Sequence, residues 1–486
     1  MIKRLTANFS IYCIADILTK GAGFLLLPIY TRLLSPEDYG ILAVVSAIAA
    51  IALPVMTLGA RGSIHRFFFK YNGFDRRKFY GSLWLFFLLV PGIIILLCDL
   101  IMPKLLHGTL LNVGYHPYIS LALWTSYINI VTITFIQLIA RASEKALHSS
   151  VLALTHFLLS TFLTIIIVLY LVGGAKGVLW ARAAGTAITG GIAVFFILRY
   201  VKLNLNFSYW RIAIGYSAPL TVHFISREVL DISDRLVLRH YTSFDQVGIY
   251  NIGYLIGSSV IFISQAGYNV LLPLFGKTGK PSINTDSDDL ITRSVTYYVL
   301  IVTFVVLLIV VFAKDIVLLI LPASYYSAVT VIPWIAIGFF FMSIYFLPSA
   351  TLSHIIGNTK WIAVGTFSMA ILNLSLNIIF VPIYRVLAAS ITTAISYLLL
   401  FLFAFFVANR KYSFHYEYTR LFKILIVAFS IYYASSFLNE YDFFFKLFTK
   451  SLLLIIGFPL ALYITGFLDT SENTKLSYVL KKISFS

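Results

Sequence analysis

Residues 217–251 read SAPLTVHFISREVLDISDRLVLRHYTSFDQVGIYN and place several charges within one apolar helical stretch. The whole chain is 60% hydrophobic and only 11% charged, so this concentration is unusual. A charge at membrane depth costs roughly 3 kcal/mol on insertion scales, and it persists where it faces water, another charge or a substrate. The stretch therefore predicts a helix that lines a hydrated interior. The helix carries Arg227, Glu228, Asp231, Asp234 and Arg235.

Apolar segments follow one another along the rest of the chain, and mean hydropathy is +0.92. Segments long enough to cross about 30 Å of hydrocarbon predict about fourteen transmembrane helices and an all-α polytopic membrane protein. The segments lack the period-two alternation of a β-barrel. They lie near residues 10–34, 38–60, 80–102, 117–139, 150–172, 177–199, 213–238, 247–272, 294–321, 329–350, 361–383, 386–408, 421–438 and 447–468.

The formal net charge of +17 is distributed in a way that indicates membrane orientation rather than nucleic-acid binding. If the helices alternate sides from a cytoplasmic N-terminus, most lysines and arginines fall in cytoplasmic segments, as the positive-inside rule requires. We therefore expect a multi-pass membrane protein with both termini in the cytoplasm. The densest basic cluster comprises Arg61, Arg66, Lys70, Arg76, Arg77 and Lys78.

A weak internal repeat divides the chain. Shifting it by 208 residues aligns Ser35–Gly59 with Ser243–Gly267, and Gly40 then coincides with Gly248. Two pseudo-repeated six-helix bundles around a central cavity, with two additional C-terminal helices, are the simplest organisation. Repeats with an even number of spans share one orientation, which favours alternating access by rocking of the halves. The predicted boundaries are 1–200, 213–410, and 411–486 with a cytoplasmic tail.

Two blocks of sequence resemble the Wzx-like polysaccharide-flippase family of the multidrug/oligosaccharidyl-lipid/polysaccharide exporter superfamily. The first consists of KGAGFLLLPIYTRLLSPEDYGILAVVSAI (Lys20–Ile48) and LGARGSIHRFFFKY (Leu58–Tyr71); the second is DRLVLRHYTSFDQVGIYNIGYLI (Asp234–Ile256). The family commonly has glycines before the twelfth helix, where this chain has PIYRVLAAS (382–390). The resemblance implies a flippase that moves polyprenyl-pyrophosphate-linked oligosaccharide to the periplasmic leaflet for O-antigen, capsule or another surface glycan. It also implies cooperation with a polysaccharide polymerase and a chain-length regulator.

A pyrophosphate cargo requires a cationic, hydrated cavity, because positive groups must replace the water removed from the anion. Lys20 lies near mid-membrane and Asp16 is one turn earlier on the same face; Arg227 and Asp231 have the same spacing. The alternative for each pair is a buried ion pair that only locks its helix. The candidate cavity cations are Lys20, Arg61, Arg66, Arg182, Arg227 and Arg235. The candidate carriers of a coupling proton or sodium ion are Asp16, Glu228 and Asp231.

Evidence for an enzyme or for a bound cofactor is lacking in the sequence. There is no P-loop and no HExxH motif, and the two cysteines, Cys13 and Cys98, have no partners for a metal site. A membrane polysaccharide polymerase is the enzyme-class alternative, but it requires a large outward loop. A multidrug or cation antiporter of the same superfamily is the transporter alternative, and it predicts a carboxylate-dominated cavity. A flippase for lipid II or a teichoic-type lipid is a third possibility. It has the same physical requirements, and only the headgroup of its lipid substrate differs.

Overall fold

The computed structural model describes residues 21, 24–68, 70–105, 107, 109–143, 145–277, 285–412, 416–469 and 472. These residues are almost entirely helical, as the apolar segments predict. The helices are α1 Leu27–Leu33, α2 Pro36–Met56, α3 Arg61–Phe68, α4 Gly73–Leu105, α5 Ser120–Asn129, α6 Phe135–Ala142, α7 Ala146–Tyr170, α8 Gly174–Tyr200, α9 Phe207–Tyr241, α10 Phe244–Gly257, α11 Val260–Lys277, α12 Thr285–Val311, α13 Ala313–Ile320, α14 Ile332–Ala350, α15 Lys360–Lys411, α16 Tyr418–Ser436, α17 Phe443–Leu452 and α18 Phe458–Ile464.

Short irregular elements join some of these helices. Strands β1 (Thr109–Leu110) and β2 (Val113–Gly114) form an antiparallel hairpin. Its turn residues Leu111 and Asn112 both have positive φ, and Arg239 donates a hydrogen bond to the Leu111 carbonyl at 2.9 Å. Single π-helical turns at Tyr115–Ile119 and Ile130–Thr134 extend α5 at both ends.

Eleven helices of the described chain are long and apolar enough to cross a membrane. One of them, α15, has 52 residues, or about 78 Å at 1.5 Å per residue, which is more than twice the hydrocarbon thickness. A break at Arg385, with φ 51° and ψ −127°, divides α15 into two crossings. The 35-residue α9 is also long enough to cross, although its charges exclude it from the apolar set. These helices account for thirteen spans, and the first predicted segment, 10–34, lies largely outside the described residues, so the structure is compatible with fourteen.

The break at Arg385 lies in the PIYRVLAAS segment, where the resemblance led us to expect glycine. Its φ of 51° lies in the left-handed region that glycine adopts freely and most other residues avoid. The Arg385 side chain points into open surroundings and is exposed. The chain thus makes the turn before the last part of α15 without the glycine, at the cost of local backbone strain.

Two compact units make up the described chain. One comprises Met1–Leu255, Ile320–Val331 and Ala363–Ser396; the other comprises Ile256–Leu319, Ile332–Ile362 and Tyr397–Ser486. In the first, α7 packs along α8 and α2 packs along α9. In the second, α12 packs against α11, α14 and α16, and residues of α12, α16 and α18 share a hydrophobic core. The predicted lobe boundaries near residues 200 and 410 remain predictions.

The SPEDYG segment (35–40) joins the starts of two helices in the first unit. Ser35 and Asp38 form a capping box at the N-terminus of α2, with reciprocal hydrogen bonds of 3.1 Å to each other's backbone N–H groups. The second carboxylate oxygen of Asp38 accepts a hydrogen bond from the Ala175 N–H at 2.7 Å, at the start of α8. One carboxylate therefore accepts hydrogen bonds from backbone N–H groups at the starts of two helices. Such N–H groups have no acceptor within their own helix.

Gly40 and Gly248, the glycines that coincide in the repeat, pack against each other's helix. A Cβ on Gly40 would lie 2.0 Å from the Phe244 carbonyl oxygen, and one on Gly248 would lie 1.9 Å from the Pro36 carbonyl oxygen. Phe244 follows Pro36 by the same 208-residue shift, so the two contacts are equivalent under the repeat. The crossing of α2 and α10 is thus pseudo-symmetric and requires glycine on both sides.

We expect Gly40→Ala and Gly248→Ala each to destabilise the protein by about 1–3 kcal/mol, because backbone atoms on the partner helix must move. Thermal unfolding of the purified protein in detergent measures this effect. Gly191→Ala in α8 is the matched control, since a Cβ there meets no atom within 4 Å. Equal stability of all three variants would contradict the close crossing.

Candidate functional site

A polar cavity of about 550 Å³ opens within the first unit. Its wall is built by residues of α1, α2, α3, α5, α7 and α8 and of the π-helical turn that follows α5. Two guanidinium groups, those of Arg61 and Arg182, line it, and none of the described residues that line it carries a carboxylate. The other polar lining side chains carry hydroxyl, amide or imidazole groups. They are Tyr30, Thr125, Ser126, Asn129, Thr134, His156, Ser160, Thr161, Thr164 and Thr186.

Arg182 lies in the first half of α8 and faces this cavity. Its side chain is exposed although the helix packs closely against α7 and α5. The Tyr30 and Tyr39 hydroxyl groups are its electrostatic neighbours. Within the part of the chain that the structure describes, the guanidinium makes no hydrogen bond or ion pair. Arg182 therefore offers its donors to whatever enters the cavity.

Arg61 begins α3 and contributes the second guanidinium. Glu228 of α9 is its electrostatic neighbour, and Glu228 is in turn close to Arg227 and Asp231. Arg227 Nε lies 3.8 Å from a carboxylate oxygen of Asp231, which is the i, i+4 pair that the sequence predicts. This pair is loose and partly exposed, so its charges remain accessible. The site thus has a cationic wall with an acidic and basic cluster on α9 beside it.

Arg235 occupies a different environment from the other candidate cations. Its NH1 group donates to Asp234 at 2.9 Å and to the Asp231 carbonyl at 2.8 Å, and its Nε donates to Asn251 at 3.1 Å. Its guanidinium carbon lies 4.1 Å from the centre of the Tyr254 ring. Only 7% of the residue is exposed. Because protein groups already engage this guanidinium, we leave Arg235 out of the proposed site.

We expect Arg235→Lys to lower the free energy of unfolding by about 1–2 kcal/mol, because a lysine loses the forked hydrogen bonds and the ring stacking. Transport per folded molecule is expected to stay at the wild-type level. Thermal unfolding together with a transport assay normalised to protein amount tests both parts. A loss of transport without a loss of stability would instead return Arg235 to the functional site.

The remaining predicted residues separate from the cavity. Arg66 is exposed on α3, with its guanidinium carbon 5.9 Å from the centre of the Tyr216 ring, and it is not among the lining residues. Lys20 and Asp16 lie outside the described residues. Metal binding has no candidate in the described part of the chain, where no group of three or more His, Cys, Asp or Glu side chains is close enough to hold an ion.

The hydroxyl-bearing wall is the feature that the sequence reasoning missed. His156, Ser160 and Thr164 recur every four residues and therefore share one face of α7. Thr125 and Asn129 have the same spacing in α5, and so do Arg182 and Thr186 in α8. Polar residues repeated at i, i+4 on otherwise apolar helices were the available signal. Single hydroxyl groups are common in apolar helices, so without this spacing they do not indicate a site.

His156 and Asp99 also make the helix-to-helix hydrogen bonds expected of isolated polar residues. The His156 ring Nδ1 lies 2.9 Å from the Thr189 hydroxyl, which joins α7 to α8. Asp99 accepts hydrogen bonds from the Trp124 indole at 2.7 Å and from the Tyr115 hydroxyl at 3.1 Å. The His156 contact joins two helices of the cavity wall, and the Trp124 contact joins α4 to the wall helix α5.

Comparisons with known proteins cover both the sequence and the fold. The profile of a family described as polysaccharide biosynthesis protein matches residues 5–278. Protein 1 of the Lsg locus of Haemophilus influenzae is 23% identical over 274 residues, which are 54% of this chain and 64% of that protein. The aligned part thus spans less than two thirds of that relative.

Solved structures of low sequence identity share the fold. The lipid II flippase MurJ, in an inward closed conformation, matches with a TM-score of 0.69 and 14% identity over 93% of this chain and 99% of that chain. A mutant of the Vibrio cholerae MATE transporter VcmN matches with a TM-score of 0.58 and 14% identity over 84% of this chain and 96% of that chain. The all-α, multi-pass membrane fold follows from these matches.

Proposed function

The chain belongs to the polysaccharide biosynthesis protein family, and from that premise we propose that it is a flippase for lipid-linked oligosaccharide. It moves polyprenyl-pyrophosphate-linked repeat units from the cytoplasmic to the periplasmic leaflet of the bacterial inner membrane. The product feeds the synthesis of a surface polysaccharide such as O-antigen or capsule. Both termini are in the cytoplasm, and a polysaccharide polymerase and a chain-length regulator take the product onward.

The composition of the polar cavity carries this proposal. Arg61 and Arg182 supply two positive charges, and no carboxylate among the described lining residues offsets them. Guanidinium groups bind phosphate oxygens through paired hydrogen bonds and lose less hydration than ammonium groups do. The hydroxyl and amide groups around them can replace the water on a glycan. An anionic and hydroxyl-rich cargo suits this wall better than an organic cation does.

The two rival functions fit the cavity less well. A multidrug or cation antiporter needs carboxylates to attract its substrate, and the acidic residues near this site, Glu228 and Asp231, already have basic neighbours. A polymerase requires an outward loop that holds catalytic groups, and the sequence offers only short outward loops. We therefore propose a transporter rather than an enzyme, with no bound cofactor. Glu228, Asp231 and Asp16 are the proposed carriers of a coupling proton or sodium ion.

The test uses a strain that lacks the gene. Mass spectrometry of its extracted lipids is expected to show complete single repeat units on polyprenyl pyrophosphate, together with loss of the surface glycan. The wild-type gene restores the surface glycan, and the Lys20→Ala and Arg227→Ala variants report whether those cations contribute. Repeat units that are accessible to a glycan-binding probe on the periplasmic leaflet would place the protein after translocation and favour a polymerase. Normal lipids with altered drug tolerance would favour the antiporter.

A further inference from the structure

A second cationic cavity lies in the first unit, separate from the polar cavity. It has a volume of about 420 Å³ and shares no lining residue with the polar cavity. Three arginines line it, and no acidic side chain is among the lining residues that the structure describes. We call it the arginine pocket. Its polar lining residues are Arg76, Arg77, Arg199, Tyr80, Ser143 and Tyr200.

An apolar groove of about 310 Å³ adjoins the arginine pocket. Tyr200 lines both, and Ile139 of the pocket is followed in the chain by Ala140 of the groove. The groove runs between α6, α7 and α8. Leu147, Val151 and Ile192 in its wall are 59%, 52% and 45% exposed, as expected for a surface that faces hydrocarbon. A charged pocket therefore lies next to a groove whose apolar wall is exposed.

Arg199 stands at the junction of the two cavities. Its guanidinium carbon is 4.5 Å from the Phe195 ring centre and 5.7 Å from that of Phe196, which lines the groove. Arg77 donates a hydrogen bond to the Arg199 carbonyl at 3.0 Å, which fixes the two arginines relative to each other. The Arg199 guanidinium itself makes no hydrogen bond to any described residue, so its donors face the pocket.

Two lysines add to the positive charge at the rim. Lys145 donates a hydrogen bond to the Tyr200 hydroxyl at 2.8 Å, and the Lys202 ammonium lies 4.3 Å from the Phe74 ring centre. Phe74 lines the pocket. The three arginines and two lysines together carry more positive charge than is needed to balance the single negative charge of a phosphodiester headgroup. Basic pockets between membrane helices bind phosphate-bearing lipid heads on the cytoplasmic side.

We propose that the arginine pocket and the apolar groove form a loading site for the diphosphate lipid before it reaches the polar cavity. The arginines bind the diphosphate, and the groove holds the first part of the prenyl chain. The glycan remains in water at the membrane surface. This proposal rests on the proposed function, because it assigns the ligand as the transported lipid. It adds a binding site at a position that the transport cavity does not include.

The test labels the full-length protein in lipid nanodiscs with a photoreactive prenyl diphosphate whose reactive group is near the diphosphate. Peptide mass spectrometry is expected to find the label in residues 136–155 and 192–200. The double variant Arg76→Gln and Arg199→Gln is expected to reduce this labelling about tenfold, since two charge-assisted contacts are lost. Arg211→Gln is the matched control, because Arg211 is an exposed arginine of α9 that lines neither cavity.

Competitors separate the sources of phosphate. Inorganic pyrophosphate and phosphatidylglycerol are expected to protect far less than unlabelled prenyl diphosphate, and a photoreactive prenyl alcohol is expected not to label the groove. Equal protection by pyrophosphate would show that the groove contributes nothing. Equal protection by phosphatidylglycerol would make this a general anionic-lipid site. Full labelling of the double variant would show that Arg76 and Arg199 do not bind the diphosphate. Each of these results overturns the proposal.

Labelling does not require translocation, so the two proposals fail separately. Arg182→Gln is expected to lose transport and keep the label in the groove. Normal labelling with no lipid phenotype in the deletion strain would contradict the proposed function and leave the loading site standing.

Discussion

Arg182→Ala is expected to abolish surface polysaccharide while the protein stays folded in the membrane. Its guanidinium faces the polar cavity and makes no hydrogen bond or ion pair within the described residues, so truncation leaves no buried carboxylate unpaired. A hydrogen bond between a charged donor and a phosphate contributes about 1.5–3 kcal/mol, which corresponds to roughly 10- to 100-fold weaker capture of the cargo. Because Arg61 lines the same cavity, Arg61→Ala and the Arg61→Ala, Arg182→Ala double variant are also expected to lower the amount of surface polysaccharide.

The measurement is the amount of surface glycan in a complemented deletion strain, normalised to the amount of protein in the membrane. Arg182→Lys is expected to recover part of the activity, because it keeps the charge and loses the paired donors. Ile188→Ala, at an exposed position of the same helix that lines neither the polar cavity nor the apolar groove, controls for general damage to α8. Wild-type glycan levels in Arg182→Ala cells with normal protein amounts would contradict a cationic transport cavity.

Asp315→Ala is expected to destabilise the second unit by about 3–5 kcal/mol, since it leaves two buried lysines without a counter-charge. The Lys446 and Lys450 ammonium groups each lie 2.7 Å from a different carboxylate oxygen of Asp315. Lys450 is 1% exposed and also donates to Asn439 at 2.8 Å and to the Val311 carbonyl at 3.1 Å. The cluster fastens α17 to α13, so its loss releases the C-terminal helices from their support.

Thermal unfolding and protease sensitivity of the C-terminal helices measure this effect. Glu440→Ala removes an exposed carboxylate in the connection that precedes α17 and is expected to change little. Replacing all three members, by Asp315→Leu, Lys446→Met and Lys450→Met, is expected to recover most of the stability because no buried charge remains unpaired. If Asp315→Ala were as stable as the Glu440→Ala protein, the cluster would not support this unit.

Composition and pattern by themselves determined the fold class and the family. Consecutive apolar segments of membrane length permit little except a helical bundle, because backbone groups in lipid must be satisfied within each helix. The blocks at Lys20–Tyr71 and Asp234–Ile256 predicted the family, and the match to residues 5–278 confirms it. The 208-residue repeat also predicted that Gly40 and Gly248 correspond. Both positions require glycine because α2 and α10 cross so closely that neither has room for a side chain.

Tertiary structure alone decided which charged residues share a site. Spacing along a helix shows which residues lie on one face, but it does not show which helix that face meets. Arg61 and Arg182 are far apart in sequence and line one cavity, whereas Arg235, four residues from Asp231, is engaged in a buried network. The three arginines of the loading site were apparent in the sequence only as positive-inside charge. The packing of α6, α7 and α8 places an apolar groove beside these arginines. The groove is the feature that distinguishes a lipid-binding pocket from basic residues that only set the orientation of the protein in the membrane.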